Sequence, residues 1–301
     1  MLHLELWHLI AAAVAAYGIG LSKTGIAGVG IVAVALFSVA MPGRTSVGIV
    51  LPLLVCGDCF TVVFYRRHAV WSHLLRLFPW AALGIVLGTV AMGKIDDHQV
   101  QALIGVLLIA LTALQVAQQT YELRLRASAG ESNEAPIPGF LARGGAASAI
   151  LGILAGFATM VGNAAGPLMI LYLLAARLPK MEFVGTGAWY FFCLNLFKVP
   201  FSARLGLMNH GTIVADLQLA IFVVLGALTG KPLLKHLNQS LFERISMFFT
   251  AAAGIWLMYH SGLIRAHPIH TSAPTIPHRA SLILRDLRIK DPIDLPALRN
   301  G

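Results

Sequence analysis

Residues 46–64, SVGIVLPLLVCGDCFTVVF, carry a single charged side chain, Asp58. A run of that length matches the roughly 20 mostly apolar residues that a helix needs to cross a hydrocarbon core about 30 Å thick. Comparable runs fall at 7–39, 74–93, 99–118, 140–176, 183–201, 212–230 and 241–262. Lipid offers the backbone no hydrogen bonds, so only helices and closed barrels cross it, and long continuous apolar runs select helices. Composition agrees: charged residues make up 12% of the chain, against about 25% in a soluble domain. The sequence predicts an all-α polytopic membrane protein of about eight transmembrane segments, with the lipid bilayer as its solvent.

The formal net charge is +9. In a soluble protein this would point to nucleic acid, but here the basic residues lie between the runs and in the tail. Once the spans are removed no folded basic surface is left, so no nucleic-acid partner is expected. Anionic headgroups and orientation account for the charge better. Basic residues of the short loops divide evenly between the two sides, so they do not set the orientation. The N-terminal MLHLELWHLI has no basic stretch and no cleavage site of the secretory kind.

The chain matches itself at an offset of 137 residues. Gly25 falls on Gly162, Gly48 on Gly185, Cys56 on Cys193, Phe60 on Phe197, Phe64 on Phe201 and Arg67 on Arg204, while Asp58 meets its near-isostere Asn195. Further on the offset is 142, and Gly84 and Gly88 meet Gly226 and Gly230. This predicts two homologous four-segment halves: 1–120, then a polar connector at 121–139 (YELRLRASAGESNEAPIPG), then 140–264. Residues 265–301 form a basic, proline-containing tail read as disordered, with RASLILRDLRIK (279–290) the candidate for a basic amphipathic surface helix.

In each half the first run is interrupted. As one helix, residues 7–39 would be about 50 Å long at 1.5 Å per residue, too long for an upright crossing and too short for two. Gly20, Gly25, Gly28 and Gly30 weaken it, and ATMVGNAAGP (158–167) breaks the second with Gly162, Asn163, Gly166 and Pro167. Broken helices at membrane depth are tolerated where they are buried in protein or line a wet cavity, and breaks at matching places in two halves point to a transport site. Helix starts present free N–H groups and a positive dipole end, glycine permits close approach, and Lys23 adds a full charge. With Ser22, Thr24 and Asn163 as neutral donors, these residues suit a small oxyanion. Gly84, Gly88, Gly226 and Gly230 read instead as helix-packing positions.

Other polar residues stay open between two readings. Asp58 either carries a coupling proton or pairs with Lys23, and it lines the path together with Asn195. Lys198, three residues beyond Asn195 and on the same helical face, either offers the substrate a second positive charge or snorkels from a span end. Arg67 and Arg204 are orientation anchors. Cys56 and Cys59 have C-x-x-C spacing, which makes a membrane thiol–disulfide oxidoreductase an alternative, although only Cys193 remains as a further cysteine. No histidine spacing suggests a metal, no Ser/His/Asp constellation suggests an enzyme, and no cofactor is expected.

GLSKTGIAGVGIVAVAL (20–36) and GFATMVGNAAGPLMILYLLAARLPKMEFVGTGAWYFFCLNLFKVPF (156–201) resemble the sulfite exporter TauE/SafE family. The resemblance covers about residues 10–262. It implies a duplicated bacterial inner-membrane permease that moves sulfite or organosulfonates. On that reading Lys23, Thr24, Gly25, Gly28, Gly162, Asn163, Gly166 and Lys198 bind the anion near the bilayer midplane. With no ATP-binding motif in the chain, a coupling proton or cation, or the substrate's own gradient, would drive transport. An anion channel is the nearest alternative.

Overall fold

In the computed structural model, residues 6–23, 28–128, 145–234 and 239–263 are described. Among them are ten α-helices, one 3-10 turn (Arg66–His68) and no strand. The helices are α1 (Leu6–Ser22), α2 (Val29–Ala40), α3 (Gly43–Tyr65), α4 (Trp71–Lys94), α5 (Asp97–Ser128), α6 (Gly145–Gly162), α7 (Gly166–Ala175), α8 (Lys180–Arg204), α9 (His210–Leu234) and α10 (Gln239–His260). The described parts of the runs at 7–39 and 140–176 each form two helices, α1 with α2 and α6 with α7. The tail lies outside the described residues.

Among the described residues five segments are long and apolar enough to cross a membrane: Gly43–His68, Trp71–Lys94, Asp97–Tyr121, Gly145–Gly162 and Gly211–Gly230. α8 is longer than several of these and falls outside the set for a physical reason. It carries Thr186, Asn195, Lys198 and Ser202, all buried, so its polar side chains face the protein interior. α10 likewise buries Ser246 and Thr250. The outer surface shows the opposite pattern: Leu75 is 71% exposed, Leu217 73% and Phe248 70%. Contiguous apolar surface of this kind needs lipid against it.

The expected connector begins later than its composition suggested. α5 continues to Ser128, so residues 121–128 are helical. Glu, Leu, Arg and Ala are good helix formers, and intrinsic propensity favours continuing the helix past its apolar portion.

The two closest helix pairs cross through glycines. α4 packs most closely on α6, and α1 on α9. At the first crossing a Cβ on Gly84 would land on the Ile153 carbonyl oxygen, and one on Gly156 on that of Ala81. At the second, a Cβ on Gly226 would land on the Tyr17 carbonyl oxygen and one on Gly20 on that of Val223. Backbones this close gain dispersion contact that no larger residue permits. Gly88 serves the first crossing too, against Met160. Gly20 therefore belongs to a packing seam inside α1 and does not weaken the helix at its break.

The seam generates a test. Gly156→Val and Gly226→Val force a side chain into a neighbouring backbone and should each cost about 1–3 kcal/mol, as overpacking typically does. Gly145, with nothing within 4 Å of its would-be Cβ, is the control as Gly145→Ala. Thermal unfolding of the detergent-solubilised protein should separate the first two variants from the third.

Candidate functional site

The last turn of α1 delivers Lys23, whose N–H donates to the Gly20 carbonyl at 3.1 Å. Its ammonium donates to Asp58 Oδ1 of α3 at 2.6 Å and lies 5.6 Å from the centre of the Phe191 ring. Asp58 is 1% exposed, and its second oxygen accepts from Asn195 Nδ2 of α8 at 2.7 Å. Both carboxylate oxygens are thus occupied, which a buried charge requires. Asp58 and Asn195 are 137 residues apart, the same interval at which the sequence matches itself. Thr61 completes this side: its hydroxyl reaches the Gly57 carbonyl at 3.1 Å and the Lys23 carbonyl at 3.4 Å.

The second break is held from behind. Asn163 adopts a left-handed φ of 53°, which asparagine tolerates better than most residues, and so ends α6. Its N–H donates to the Thr159 carbonyl at 3.0 Å, and the N–H of Ala164 reaches back to Ala158 at 3.3 Å. Its side chain bridges two helices: Nδ2 donates to the Val47 carbonyl of α3 at 3.3 Å, and Oδ1 accepts from Lys198 Nζ of α8. Lys198 also donates to the Thr159 carbonyl at 2.8 Å. An ammonium there meets the negative end of the α6 dipole.

Between the breaks lies a cavity of about 300 Å³. Lys23, Asp58, Asn195, Thr159 and Asn163 supply polar groups, and the starts of α2 and α7 face it through Gly28, Gly30 and Ile31 and through Ala165, Gly166 and Pro167. Neither start has a side-chain cap, so free backbone N–H groups and two positive dipole ends are directed at the cavity. Gly28 is required by its φ of 86° and by Ser246, whose Cβ lies 3.2 Å from where a Cβ would stand. The charges do not cancel. Asp58 pairs with Lys23, while the hydrogen-bond partners of Lys198 are a carbonyl and an amide oxygen, so the cluster holds two lysines against one carboxylate.

The cavity gathers Lys23, Gly28, Asn163, Gly166, Asp58 and Asn195. It does not gather two others. Lys198 is fully buried behind the wall, where it neither snorkels nor lines the cavity. Gly162 faces Ile104 and Leu107 in ordinary contact. Thr24 and Gly25 lie outside the described residues. Sequence reasoning passed over Thr61, Gln115 and Phe191, all of which line the cavity. Gln115 could have been noticed as an amide inside an apolar run, whereas Phe191 is indistinguishable from its aromatic neighbours. Cys56, Cys59 and Cys193 are free; Cys59 is exposed and the other two half-buried.

A helical body with an apolar exterior, long apolar helices and a charged internal cavity defines a membrane transport protein. The sulfite exporter TauE/SafE family profile matches residues 10–257, and the chain belongs to that family. Its members are membrane-integral transporters and not enzymes. No curated protein and no solved structure matches the chain.

The ion pair can be tested by a double-mutant cycle. Asp58→Leu strands the Lys23 ammonium and should lower the unfolding free energy by about 3–5 kcal/mol, the usual cost of removing one partner of a buried pair. Adding Lys23→Met should recover most of that loss. Strictly additive losses in detergent unfolding would mean that the two side chains do not interact.

Proposed function

We propose that this chain is a secondary transporter, a permease or exporter, of a small sulfur-containing oxyanion such as sulfite or an organosulfonate. Its site is formed by the two helix breaks near the bilayer midplane, in the inner membrane of a bacterium. One observation carries the reading: two uncapped helix starts and the Lys23 ammonium converge on one cavity. Each is a feature that binds anions, and together they surround the cargo with donors while presenting one carboxylate. Lys23 and Asn163 contact the anion. Lys198 acts through Asn163 and the end of α6.

Two homologous halves, each with one broken and three plain segments, complete the proposal. The crossing contacts support it. The pair Gly84–Ile153 and the pair Gly226–Tyr17 are related by shifts of 142 in one helix and 136 in the other, and so are the pairs Ala81–Gly156 and Val223–Gly20. Gly48 against Leu207 and Gly185 against His68 repeat in the same sense. Each half thus lends its first helix to the other, which gives a natural axis for alternating access.

Flux into proteoliposomes tests the function. Sulfite, sulfoacetate, taurine, sulfate and thiosulfate are the probes, and at least one sulfur anion should enter saturably. Saturation also separates a carrier from an anion channel. Lys23→Ala and Asn163→Ala should each cut that flux roughly tenfold or more, since a hydrogen bond to a charged group contributes about 1.5–3 kcal/mol. Normal flux in both variants would remove the breaks from the binding site.

A further inference from the structure

We propose that Asp58 is the proton-coupling site of the transport cycle: it holds Lys23 while the cavity is empty of anion and takes up one proton as the anion arrives. The inference rests on the reading of the cavity as an anion site, and it names the coupling partner.

Among the described residues Lys23 is the cavity's one cationic side chain and Asp58 its one carboxylate. They are already joined at 2.6 Å. An incoming oxyanion therefore finds its strongest partner occupied by an internal anion. Asp58 cannot swing aside into water, because it is 1% exposed and its other oxygen is fixed by Asn195. Two anions around one ammonium, among walls that include Ile31, Val34, Leu54 and Met169, repel each other strongly. Lys198 stands behind the wall with its hydrogen bonds committed to Thr159 and Asn163, so it offers a second anion in the cavity no direct contact.

Protonation resolves the conflict. The Asp58 carboxylate gains one proton from water on the open side and becomes a neutral carboxyl. Its O–H replaces a charge, Asn195 continues to donate to the other oxygen, and Lys23 turns its full charge to the anion. At the cavity the Lys23 ammonium faces one carboxylate before and one bound monoanion after, so the net charge of the cluster, Lys198 included, is the same in both states. Releasing both ligands on the far side restores the Lys23–Asp58 pair. A metal cation would not serve, because the ammonium already fills the place beside the carboxylate where such a cation would bind.

Asp58 is the titratable group that both lines the cavity and contacts Lys23. Lys23 from α1 and Lys198 from α8 are the charges that act on it, with Cys193 of α8 nearby. Cys56 and Cys59 flank it on α3. α9 brings Val223 to this level, with its carboxylate Asp216 two turns away. α2 and α6 carry no ionisable side chain, and α5 contributes the uncharged Gln115 to the cavity.

The test uses the full chain in proteoliposomes with methanesulfonate or isethionate, whichever enters, because a sulfonate stays ionised throughout and any pH dependence belongs to the protein. An acid-outside gradient should drive accumulation, a trapped pH dye should record one proton per anion, and an imposed membrane potential should have no effect. In Asp58→Asn, whatever sulfonate enters should do so without protons: accumulation in response to the pH gradient is lost and sensitivity to membrane potential appears. Calorimetry of sulfonate binding to the detergent-solubilised wild type, in two buffers of different ionisation heat, needs no variant and should show one proton taken up per anion. Binding without proton uptake, or a pH-driven accumulation retained in Asp58→Asn, overturns the proposal. If sulfite and every sulfonate fail to bind or enter the wild type, the anion-site reading itself fails, a result distinct from anion movement without protons.

Discussion

Lipid cannot solvate a charge, and the helices around the cavity are arranged about a cluster of buried charges. Lys23, Asp58 and Lys198 are each at least mostly buried, and each is held by partners from a different helix. Asp58 needs both Lys23 from α1 and Asn195 from α8; Lys198 needs Thr159 and Asn163 from the end of α6. These bonds exist only if α1, α3, α6 and α8 approach closely. The glycine crossings make that approach possible by letting α1 seat on α9 and α6 on α4, backbone against backbone. The seam positions the helix ends, and the helix ends position the charges.

Under the proposed duplication, the two breaks are held by corresponding positions with different chemistry. Thr61 reaches the carbonyl of Lys23, and Lys198, 137 residues further on, reaches the carbonyl of Thr159. In one half a hydroxyl supports the broken helix and the helix itself carries the lysine. In the other half the lysine is the support and the broken helix carries a threonine. Each half contributes one lysine to the cluster, but only Lys23 faces the cavity. That division explains why a residue that sequence spacing offered to the substrate acts as a brace instead.

The long apolar helices and both interruptions were legible because lipid makes apolar length and glycine-rich breaks costly to disguise. Lys23 and Asp58 were legible for the same reason, as charges where charge is expensive. Gly84, Gly88 and Gly226 behave as packing residues, as their spacing suggested. Depth from the cavity was not legible. Lys198 and Asn195 share a helical face and differ by one turn, yet Asn195 lines the cavity and Lys198 stands behind it. Gly20 and Gly28 look alike in sequence, yet one is pressed against α9 and the other opens α2. Composition also hid the end of α5, since polar residues with good helix propensity read the same in a connector as in a helix extension.

The Asp58–Asn195 contact is the place where the asymmetry matters most. Residues matched by the internal offset meet side chain to side chain, so any pair placed there must tolerate its own counterpart. Two aspartates would put carboxylates in contact and compel them to share a proton. Two asparagines would satisfy each other and leave Lys23 without a counter-ion in a cavity closed to water on most sides. One of each gives Lys23 its partner, gives that partner's second oxygen a donor, and adds a single titratable group at the centre of the molecule. At such a contact one substitution of nearly unchanged shape is enough to bring in a charge without bringing in a clash.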